Sequence, residues 1–482
     1  MSPLAASVTV VNLVLATGPF SYPYQFAALG PILSLILLFF TAFISYITST
    51  YIVEAISCAN AIGSMAGPRE SLFPDQVYAT PVLQKRLNGK DTDHKQSAFY
   101  IREKVELGRM VERFCAQWIK YTIMVILVIY MYGAMCLKYA SGAASFVSAV
   151  SYMIYKDADK WKNEWPAFDP YYLGIMIFGV LSLAFSFGNI ENSKGLQLFT
   201  GVFRLVVIVC LYSATSYYLI TNGVHATDPF DFKEEISHIA NVFGGTVFVF
   251  IFHHSISGIV FPIRPQTEIR PMFMWSHIIG ATLLAVEGML AYLAFSGLPN
   301  DCSTHIYPCK IEDLFNKNFV NIPIIGPLCN FYPMLNVSSV PVLTITLRNN
   351  LMQVLPIKPF LAKRKESRIA QFLLQDDRKI VKGIWSIIIS LPVIIIVLFF
   401  QKPQVFITYT GGICGSFILF IVPAVLVYHV RIKQLEKTHG PNFNRSPFAH
   451  KGFVYLVLIY AVFTLTAVIF GLIFPPKGNG GH

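Results

Sequence analysis

The stretch that decides the fold runs from Asn12 to Phe26 and reads N-L-V-L-A-T-G-P-F-S-Y-P-Y-Q-F. It lies inside the first apolar run, 4–36, yet it contains a glycine and two prolines. Proline removes a backbone donor and clashes with the preceding turn, and glycine weakens a helix interior by about 1 kcal/mol relative to alanine. A helix is therefore predicted to break midway, near Gly18. Broken backbone inside a bilayer needs a protein or cavity cover, so the break indicates either a site or a simple proline kink.

Composition indicates an all-α polytopic membrane protein. Of 482 residues, 54% are hydrophobic and 13% are charged, whereas soluble domains average about 25% charged residues. Several apolar runs reach the ~20 residues that span a bilayer. The formal charge of +11 is therefore interpreted as loop topology rather than nucleic-acid binding. No basic segment precedes the first apolar run, so no cleaved signal peptide is expected.

About eleven transmembrane spans are predicted, with the limits 4–28, 31–57, 118–149, 171–187, 196–221, 241–263, 272–297, 319–347, 383–400, 405–429 and 452–474. Lys and Arg concentrate in the loops on one side, whereas Asp and Glu divide almost evenly. This is the positive-inside pattern of a chain with a cytoplasmic N-terminus and, after an odd number of spans, an extracytoplasmic C-terminus. The plasma membrane and endolysosomal membranes remain alternatives for its location.

Two loops carry further predictions. The long basic loop 58–117, predicted to be cytoplasmic, ends in Arg102–Phe114, where apolar residues recur at helical spacing. We interpret this segment as a short interfacial helix, with a solvated connector as the alternative. The outer loop 298–318 contains Cys302 and Cys309. An outer face is oxidising, so these two cysteines are candidates for a disulfide that closes a small loop. The alternative is that they remain two free thiols.

The order of spans indicates an internal repeat within one transporter domain, residues 1–474. The first repeat covers 4–221 and the second 241–429, followed by an extra helix, 452–474, and a short tail, 475–482. A repeat with an odd number of spans must invert relative to its partner, and transporters with inverted repeats bind substrates at matching broken helices. The sixth span is therefore predicted to be interrupted as well, at His253–Gly258, which reads H-H-S-I-S-G.

Two broken helices together suit a zwitterion. The exposed N–H groups of one stub carry partial positive charge and attract a carboxylate, whereas the exposed carbonyls of the other attract an amine or a cation. For the two histidines, the alternative is a buried imidazole bonded to a neighbouring carbonyl, and His253 is a weaker candidate than His254. The predicted substrate-binding residues are Thr17, Gly18, Ser21, His254, Ser255 and Ser257.

A polar cluster, Asn336–Pro341, lies in the eighth span. Hydroxyls and freed carbonyls there are suitable ligands for a hard cation, so Ser338 and Ser339 are candidate sodium ligands. The alternative is that the cluster only satisfies the backbone around Pro341. No cofactor is expected beyond sodium or a proton as the coupling ion.

Charged residues inside predicted spans also need an explanation, because such residues usually face a cavity or a partner. Glu287, in the seventh span, is a candidate proton carrier or the partner of a buried histidine. Arg204, in the fifth span, is expected to extend towards the headgroups. Glu54, at the inner end of the second span, is expected to meet the membrane interface.

These motifs resemble the amino acid/auxin permease superfamily, which includes the sodium-coupled neutral amino acid transporters. The pattern N-x5-G-x4-P-x2-F in Asn12–Phe26 is similar to the first helix of that superfamily. Within it, the chain most resembles the transmembrane protein 104 family. The segments that carry this resemblance are Val105–Met110, Thr346–Asn350, Val422–His429 and Arg445–Phe448.

The resemblance implies an eleven-helix fold with a core of the sodium-symporter type, and amino acid transport by class. By motif, it implies that Gly18 lies at the first-helix break, His254 at the sixth-helix histidine and Ser338 at a cation-site hydroxyl. The chain departs from the superfamily pattern at Ala16, where a second glycine is common, and at Pro19. It also has Ile-Ser after His254 and Ser255, where Leu-Pro is usual.

We therefore expect a cation-coupled secondary active transporter of amino acids or similar zwitterions, working by alternating access. Its expected partners are the substrate and the lipid bilayer. The alternative is a non-transporting membrane receptor or assembly subunit that retains the fold. An enzyme is not expected, since no H-E-x-x-H or G-x-S-x-G motif occurs. A polar network linking Gly18, His254 and Ser338 around a cavity would favour transport, and a collapsed apolar core there would favour the alternative.

Overall fold

The computed structural model describes residues 2–16, 18–65, 97–157, 160–165, 168–186, 194–230, 238–298, 310–320, 322–354, 361, 363, 367–374 and 379–473. Within these ranges the chain is helical and contains no strand, in agreement with the predicted fold class. The predictions for Thr17, for Cys302 and Cys309, and for the tail 475–482 fall outside the described residues.

The first half of the fold begins with a broken span. Helices α1 and α2 meet at a bend of 53°, at the position predicted from the glycine and prolines. A long hairpin partner follows after a turn at Gly30, whose φ is +76°. The helices of this half are α1 (Pro3–Val14), α2 (Gly18–Leu29), α3 (Pro31–Met65), α4 (Leu107–Phe114), α5 (Gln117–Tyr155), α6 (Trp161–Glu164), α7 (Pro170–Ser186) and α8 (Lys194–Asn222).

The second half contains three irregular spans. The sixth span is divided into α9 (Ile239–Val249), a 3-10 turn (His253–Ser255) and α10 (Ile256–Val260). The eighth contains α12 (Ile325–Phe331), a 3-10 helix (Pro333–Ser338) and α13 (Val340–Val354). The tenth begins with α16 (Pro403–Phe406), continues through π-helices (Ile407–Gly415 and Phe417–Ile421) and ends in α17 (Val422–Ile432). The others are α11 (Ile269–Phe295), α14 (Arg368–Leu373), α15 (Lys379–Phe399), α18 (Leu435–His439) and α19 (Lys451–Ile473).

Among the described residues, nine helical segments are long and apolar enough to cross a membrane, and the bent pair α1–α2 counts as a tenth. Helix α7 coincides with the predicted fourth span but is shorter than the others. The chain is therefore a multi-pass membrane protein, and the count of eleven stays a prediction. Large apolar side chains on α19, such as Tyr455, Ile459 and Val462, are exposed, as expected for a surface that contacts lipid.

A row of hydroxyls on α3 binds other helices through the core. We call Thr41, Ser45, Thr48 and Thr50 the α3 hydroxyl row. Because hydroxyls buried in a membrane protein need partners, each of these side chains contacts a polar group on a distant segment. The pairs are Thr41 with Tyr460 at 2.5 Å, Ser45 with His277 at 2.9 Å, Thr48 with His253 at 2.9 Å, and Thr50 with Ser446 at 2.7 Å.

The segment Arg102–Phe114 differs from its prediction as an interfacial helix. Only its second part is helical, as α4, and the apolar side chains of Met110 and Phe114 are buried in the protein. Helix α4 packs against α3, α5 and α17. The preceding backbone is held by Asn60, whose Oδ1 accepts hydrogen bonds from the N–H groups of residues 102 and 103. These contacts place the apolar face of α4 against helices instead of lipid.

Candidate substrate site at the broken first helix

The break in the first span leaves backbone carbonyls at the end of α1 without helical partners. The N–H of Leu15 still bonds to Val11, but the N–H of Ala16 turns to the carbonyl of Leu13 instead of that of Asn12. The carbonyls of Asn12 and Ala16 are therefore available to other groups. On the far side of the break, α2 begins at Gly18 with Pro19 in its first turn, where a missing N–H costs nothing.

Side chains from two other helices bind these carbonyls. Arg204, on α8, donates from Nη1 to the carbonyl of Asn12 at 2.9 Å and to its side-chain Oδ1 at 2.7 Å. Tyr332, which lies between α12 and the 3-10 helix, donates its hydroxyl to the carbonyl of Ala16 at 3.0 Å. The guanidinium of Arg204 also lies 5.6 Å from the centre of the Tyr332 ring.

The expectation that Arg204 extends towards the headgroups is therefore wrong. The side chain is 8% exposed and points to the end of α1. Arg204 takes this direction because the break frees carbonyls at the C-terminus of α1, and such carbonyls attract a cation.

A small pocket lies beside the break. It is lined at the break by Ala16 and Ser21, and its other polar residues are Ser141 on α5 and Tyr332 and Asn336 of the eighth span. The rings of Phe20 and Tyr332 are stacked at its edge, 4.2 Å apart. The apolar lining is completed by Phe20, Leu137, Leu314, Pro333 and Ile407. The pocket therefore joins the first span to the third, eighth and tenth.

Asn336 offers an unused acceptor in this pocket. It is 4% exposed, and its Oδ1 is buried without a hydrogen-bond partner in the described part of the chain. Two of the hydroxyls at the pocket donate to protein carbonyls, that of Ser141 to Leu137 at 2.8 Å and that of Tyr332 to Ala16 at 3.0 Å. A buried, unpaired polar atom is unfavourable, so Asn336 is positioned to accept a hydrogen bond from a ligand amine.

The predicted first-span residues divide between two environments. Ser21 lines the pocket. Gly18 does not, and a Cβ atom added to it would lie 2.8 Å from the side chain of Leu284 on α11. A side chain at position 18 would therefore have to displace the end of the Leu284 side chain.

The sixth span breaks earlier than predicted. Helix α9 ends at Val249, and His253–Gly258 belongs to the helical turns that follow the break. Nε2 of His253 contacts the hydroxyl of Thr48, and the ring of His254 lies 5.6 Å from that of Tyr130.

None of the predicted sixth-span residues lines the pocket. His253 and Ser257 are buried, and Ser257 Oγ has no hydrogen-bond partner among the described residues, whereas His254 and Ser255 are half-buried. Gly18 and His254, two members of the predicted polar network, point to different neighbours, because Gly18 faces Leu284 and His254 faces Tyr130.

Two of the predicted ion-coupling residues, Ser339 and Glu287, do not line the pocket, and the side chain of Ser338 lies outside the described part of the structure. Ser338 ends the 3-10 helix, and Ser339 donates its hydroxyl to the carbonyl of Asn336 at 2.9 Å. Glu287, on α11, is 1% exposed, and neither carboxylate oxygen has a hydrogen-bond partner in the ranges that the structure describes. The nearby Tyr212 donates its hydroxyl to Leu283, one turn away on α11, and not to Glu287.

The described residues contain no group of three His, Cys, Asp or Glu side chains arranged to hold a metal ion. Oxygens suited to a hard cation are found at the end of α1 and in the adjoining 3-10 helix.

Four residues of the site, Ser141, Arg204, Tyr332 and Asn336, were not predicted as binding residues. Arg204 gave a signal, since a charge within a span marks a functional position by default. Asn336 belonged to the polar cluster of the eighth span. Nothing in the sequence distinguishes Tyr332 from the many other tyrosines of the chain.

Comparison with known proteins identifies the family. Residues 1–470 match the family described as transmembrane amino acid transporter protein. The chain belongs to this family. The match covers the broken first span, the pocket and both halves of the fold.

The relatives and a solved structure agree with this membership. The chain is 25% identical to transmembrane protein 104 of Gallus gallus, over 95% of this chain and 94% of the relative. It is also 25% identical to the transmembrane protein 104 homolog of Dictyostelium discoideum, over 98% and 97% of the two chains. The resemblance to the transmembrane protein 104 family is thus confirmed. The crystal structure of MhsT in complex with L-phenylalanine has a similar fold, with a TM-score of 0.53 at 10% identity, covering 96% of this chain and 97% of that one.

Proposed function

We propose that the chain is a secondary active transporter of an amino acid or similar small zwitterion, coupled to a cation and working by alternating access. The observation that carries this proposal is the pocket at the break of the first span, where Asn336 Oδ1 has no hydrogen-bond partner among the described residues. A pocket at interrupted backbone within a membrane fold is the usual place for a transported substrate.

The chemistry of the pocket suits the two ends of a zwitterion. The N-terminus of α2 carries partial positive charge and adjoins the pocket through Phe20 and Ser21, so it favours a substrate carboxylate. Asn336 supplies an acceptor for a substrate ammonium group. The pocket as it stands has a volume of about 20 Å³, room for about one water molecule, so it must widen to admit a substrate, whose apolar side chain would then meet Leu137, Leu314 and Ile407.

The comparisons support the same substrate class. The family is described as transmembrane amino acid transporter protein, and the similar MhsT structure is a complex with L-phenylalanine. Both statements concern other proteins, and they support an amino acid as the first substrate class to assay for this chain.

The test is uptake by the purified full-length protein in liposomes, across a panel of radiolabelled amino acids, with imposed sodium and pH gradients. The Asn336→Leu variant should raise KM about tenfold or more, because a hydrogen bond to a charged group contributes ~1.5–3 kcal/mol. Thr464→Val is the matched control, since the hydroxyl of Thr464 donates to the carbonyl of Tyr460, one turn away within α19, and Thr464 does not line the pocket.

Uptake of no panel member under any gradient would overturn the proposal and favour a receptor or assembly subunit. An unchanged KM in Asn336→Leu, with transport intact, would show that the substrate does not bind to Asn336 in this pocket.

A further inference from the structure

We infer, on the basis of the proposed function, that Arg204 is a built-in cation that takes the place of a coupling sodium ion at the end of α1. Transport by this chain is then independent of sodium. The inference concerns the coupling ion alone, and it starts from the two hydrogen bonds between Arg204 and Asn12.

The end of α1 is the place where this fold offers oxygens to a cation. A helix interrupted in the membrane leaves carbonyls with partial negative charge, and transporters coordinate coupling ions with such groups. Here the carbonyl oxygen and the Oδ1 of Asn12 both accept from Nη1 of Arg204, at 2.9 and 2.7 Å. The next freed carbonyl, that of Ala16, accepts from the Tyr332 hydroxyl. Two of the oxygens suited to a sodium ion are therefore already bonded to a guanidinium, and a third to a hydroxyl.

The eighth span also packs near Arg204 and the end of α1. Helix α8, which carries Arg204, packs against the 3-10 helix Pro333–Ser338. The hydroxyl of Ser339 is turned to the carbonyl of Asn336 within its own segment. The candidate sodium ligands of the sequence thus adjoin a helix that already presents a fixed positive charge.

The local charge also opposes a second cation. Within the described ranges no carboxylate pairs with Arg204, whose bonded partners are the oxygens of Asn12 and whose ring contact is with Tyr332. A sodium ion at the end of α1 would join the guanidinium of Arg204 with no described carboxylate to balance the two charges. Because a guanidinium stays protonated in proteins, this condition holds at any physiological pH.

Sodium binding by the purified full-length protein tests the inference without knowledge of the substrate. The unfolding midpoint is measured in detergent with increasing sodium chloride against choline chloride at equal ionic strength. The wild type should show no sodium-specific shift. Arg204→Ala and Arg204→Gln remove the positive charge and leave the two oxygens of Asn12 free to bind sodium. In each variant the unfolding midpoint should therefore rise with sodium, saturably, by about 1–3 °C when sodium is at ten times its half-saturating concentration.

Arg445→Gln is the matched control, because Arg445 forms an exposed ion pair with Glu436, away from the pocket. It should respond to sodium as the wild type does. A saturable sodium-specific shift in the wild type would overturn the inference, and this measurement decides even where an Arg204 variant does not fold. A folded Arg204 variant without any sodium response would also overturn it, since the guanidinium would then not be occupying a cation site.

Transport separates this inference from the proposed function. Uptake that is equal in sodium and choline supports both. Uptake that requires sodium overturns the role of Arg204 and leaves the transporter proposal standing. Absence of uptake under every gradient overturns the transporter proposal, and the sodium-binding measurement then still reports on the site at Arg204.

Discussion

Arg431 binds the carboxylate of Glu54 through two hydrogen bonds, from Nε to Oε1 and from Nη2 to Oε2, each 2.9 Å long. Glu54 is 3% exposed, so its expected position at the membrane interface is wrong. The same carboxylate accepts the backbone N–H of Ser446 at 2.9 Å. One acidic group therefore joins α3, α17 and the segment that leads into α19.

Removing one member of this pair should destabilise the fold. Glu54→Gln leaves Arg431 without its counter-charge, and breaking a buried ion pair costs about 3–5 kcal/mol. We expect a fall of several degrees in the unfolding midpoint in detergent. The double variant Glu54→Gln with Arg431→Gln should lose less stability than the two single variants lose in sum, because no uncompensated charge remains in it.

Glu436→Gln is the control for this experiment. Its partner Arg445 is exposed, and exposed ion pairs contribute less than about 1 kcal/mol. Equal midpoints for Glu54→Gln and Glu436→Gln would contradict the importance of the buried pair.

A close contact of backbones should make Gly411 intolerant of a side chain. A Cβ atom at this position would lie 2.5 Å from the carbonyl oxygen of Gly244, on α9. Gly411→Ala must therefore push α9 away from the π-helix, and overpacking of this kind costs about 1–3 kcal/mol. Gly179→Ala is the control, because its Cβ would meet only ordinary contacts at 3.7 Å. Similar unfolding midpoints for the two variants would show that α9 can shift without cost.

Glu287 is predicted to carry the coupling proton. Its carboxylate is buried, and neither oxygen has a hydrogen-bond partner in the described residues, an arrangement that suits reversible protonation. Glu287→Gln keeps the shape and removes the titration, so uptake driven by a pH gradient should be lost while exchange of substrate across the membrane is retained. Unchanged pH-driven uptake in this variant would remove the role.

If the outer loop is oxidised, Cys302 and Cys309 form a disulfide instead of two free thiols. Maleimide labelling at neutral pH should then increase only after reduction, and this increase should disappear in a variant with both cysteines changed to serine. Cys115, the described cysteine outside the spans, interferes little, because burial raises the pKa of its thiol to about 11 and leaves it protonated at neutral pH. Full labelling of both cysteines before reduction would show two free thiols.

The sequence predicted those features of the fold that follow from local chemistry. Gly18, Pro19 and Pro23 are sufficient to predict a broken first span, and the apolar runs are sufficient to locate the long helices. The break in the sixth span was predicted by analogy with the first, and its actual position at 250–252 has no proline or glycine to mark it. Intrinsic helix propensity therefore gives no account of this break.

The candidate site was predicted less well than the fold. Ser21 and the cluster that contains Asn336 were identified by polarity inside apolar runs. Arg204 was interpreted as an interfacial residue, because its distance along the sequence gives no indication that it reaches Asn12. Contacts between residues nearly 200 positions apart depend on how α8 packs against the first span, and a single sequence does not contain that information.

The α3 hydroxyl row has a consequence for motion. Its four side chains bind the sixth span, the seventh span, the segment before α19, and α19 itself, and the Glu54–Arg431 pair adds α17. Hydrogen bonds are short and directional, so sliding α3 past any of these neighbours would break several of them together. In any rearrangement that opens the pocket, α3 is therefore expected to move together with these partners as one rigid body.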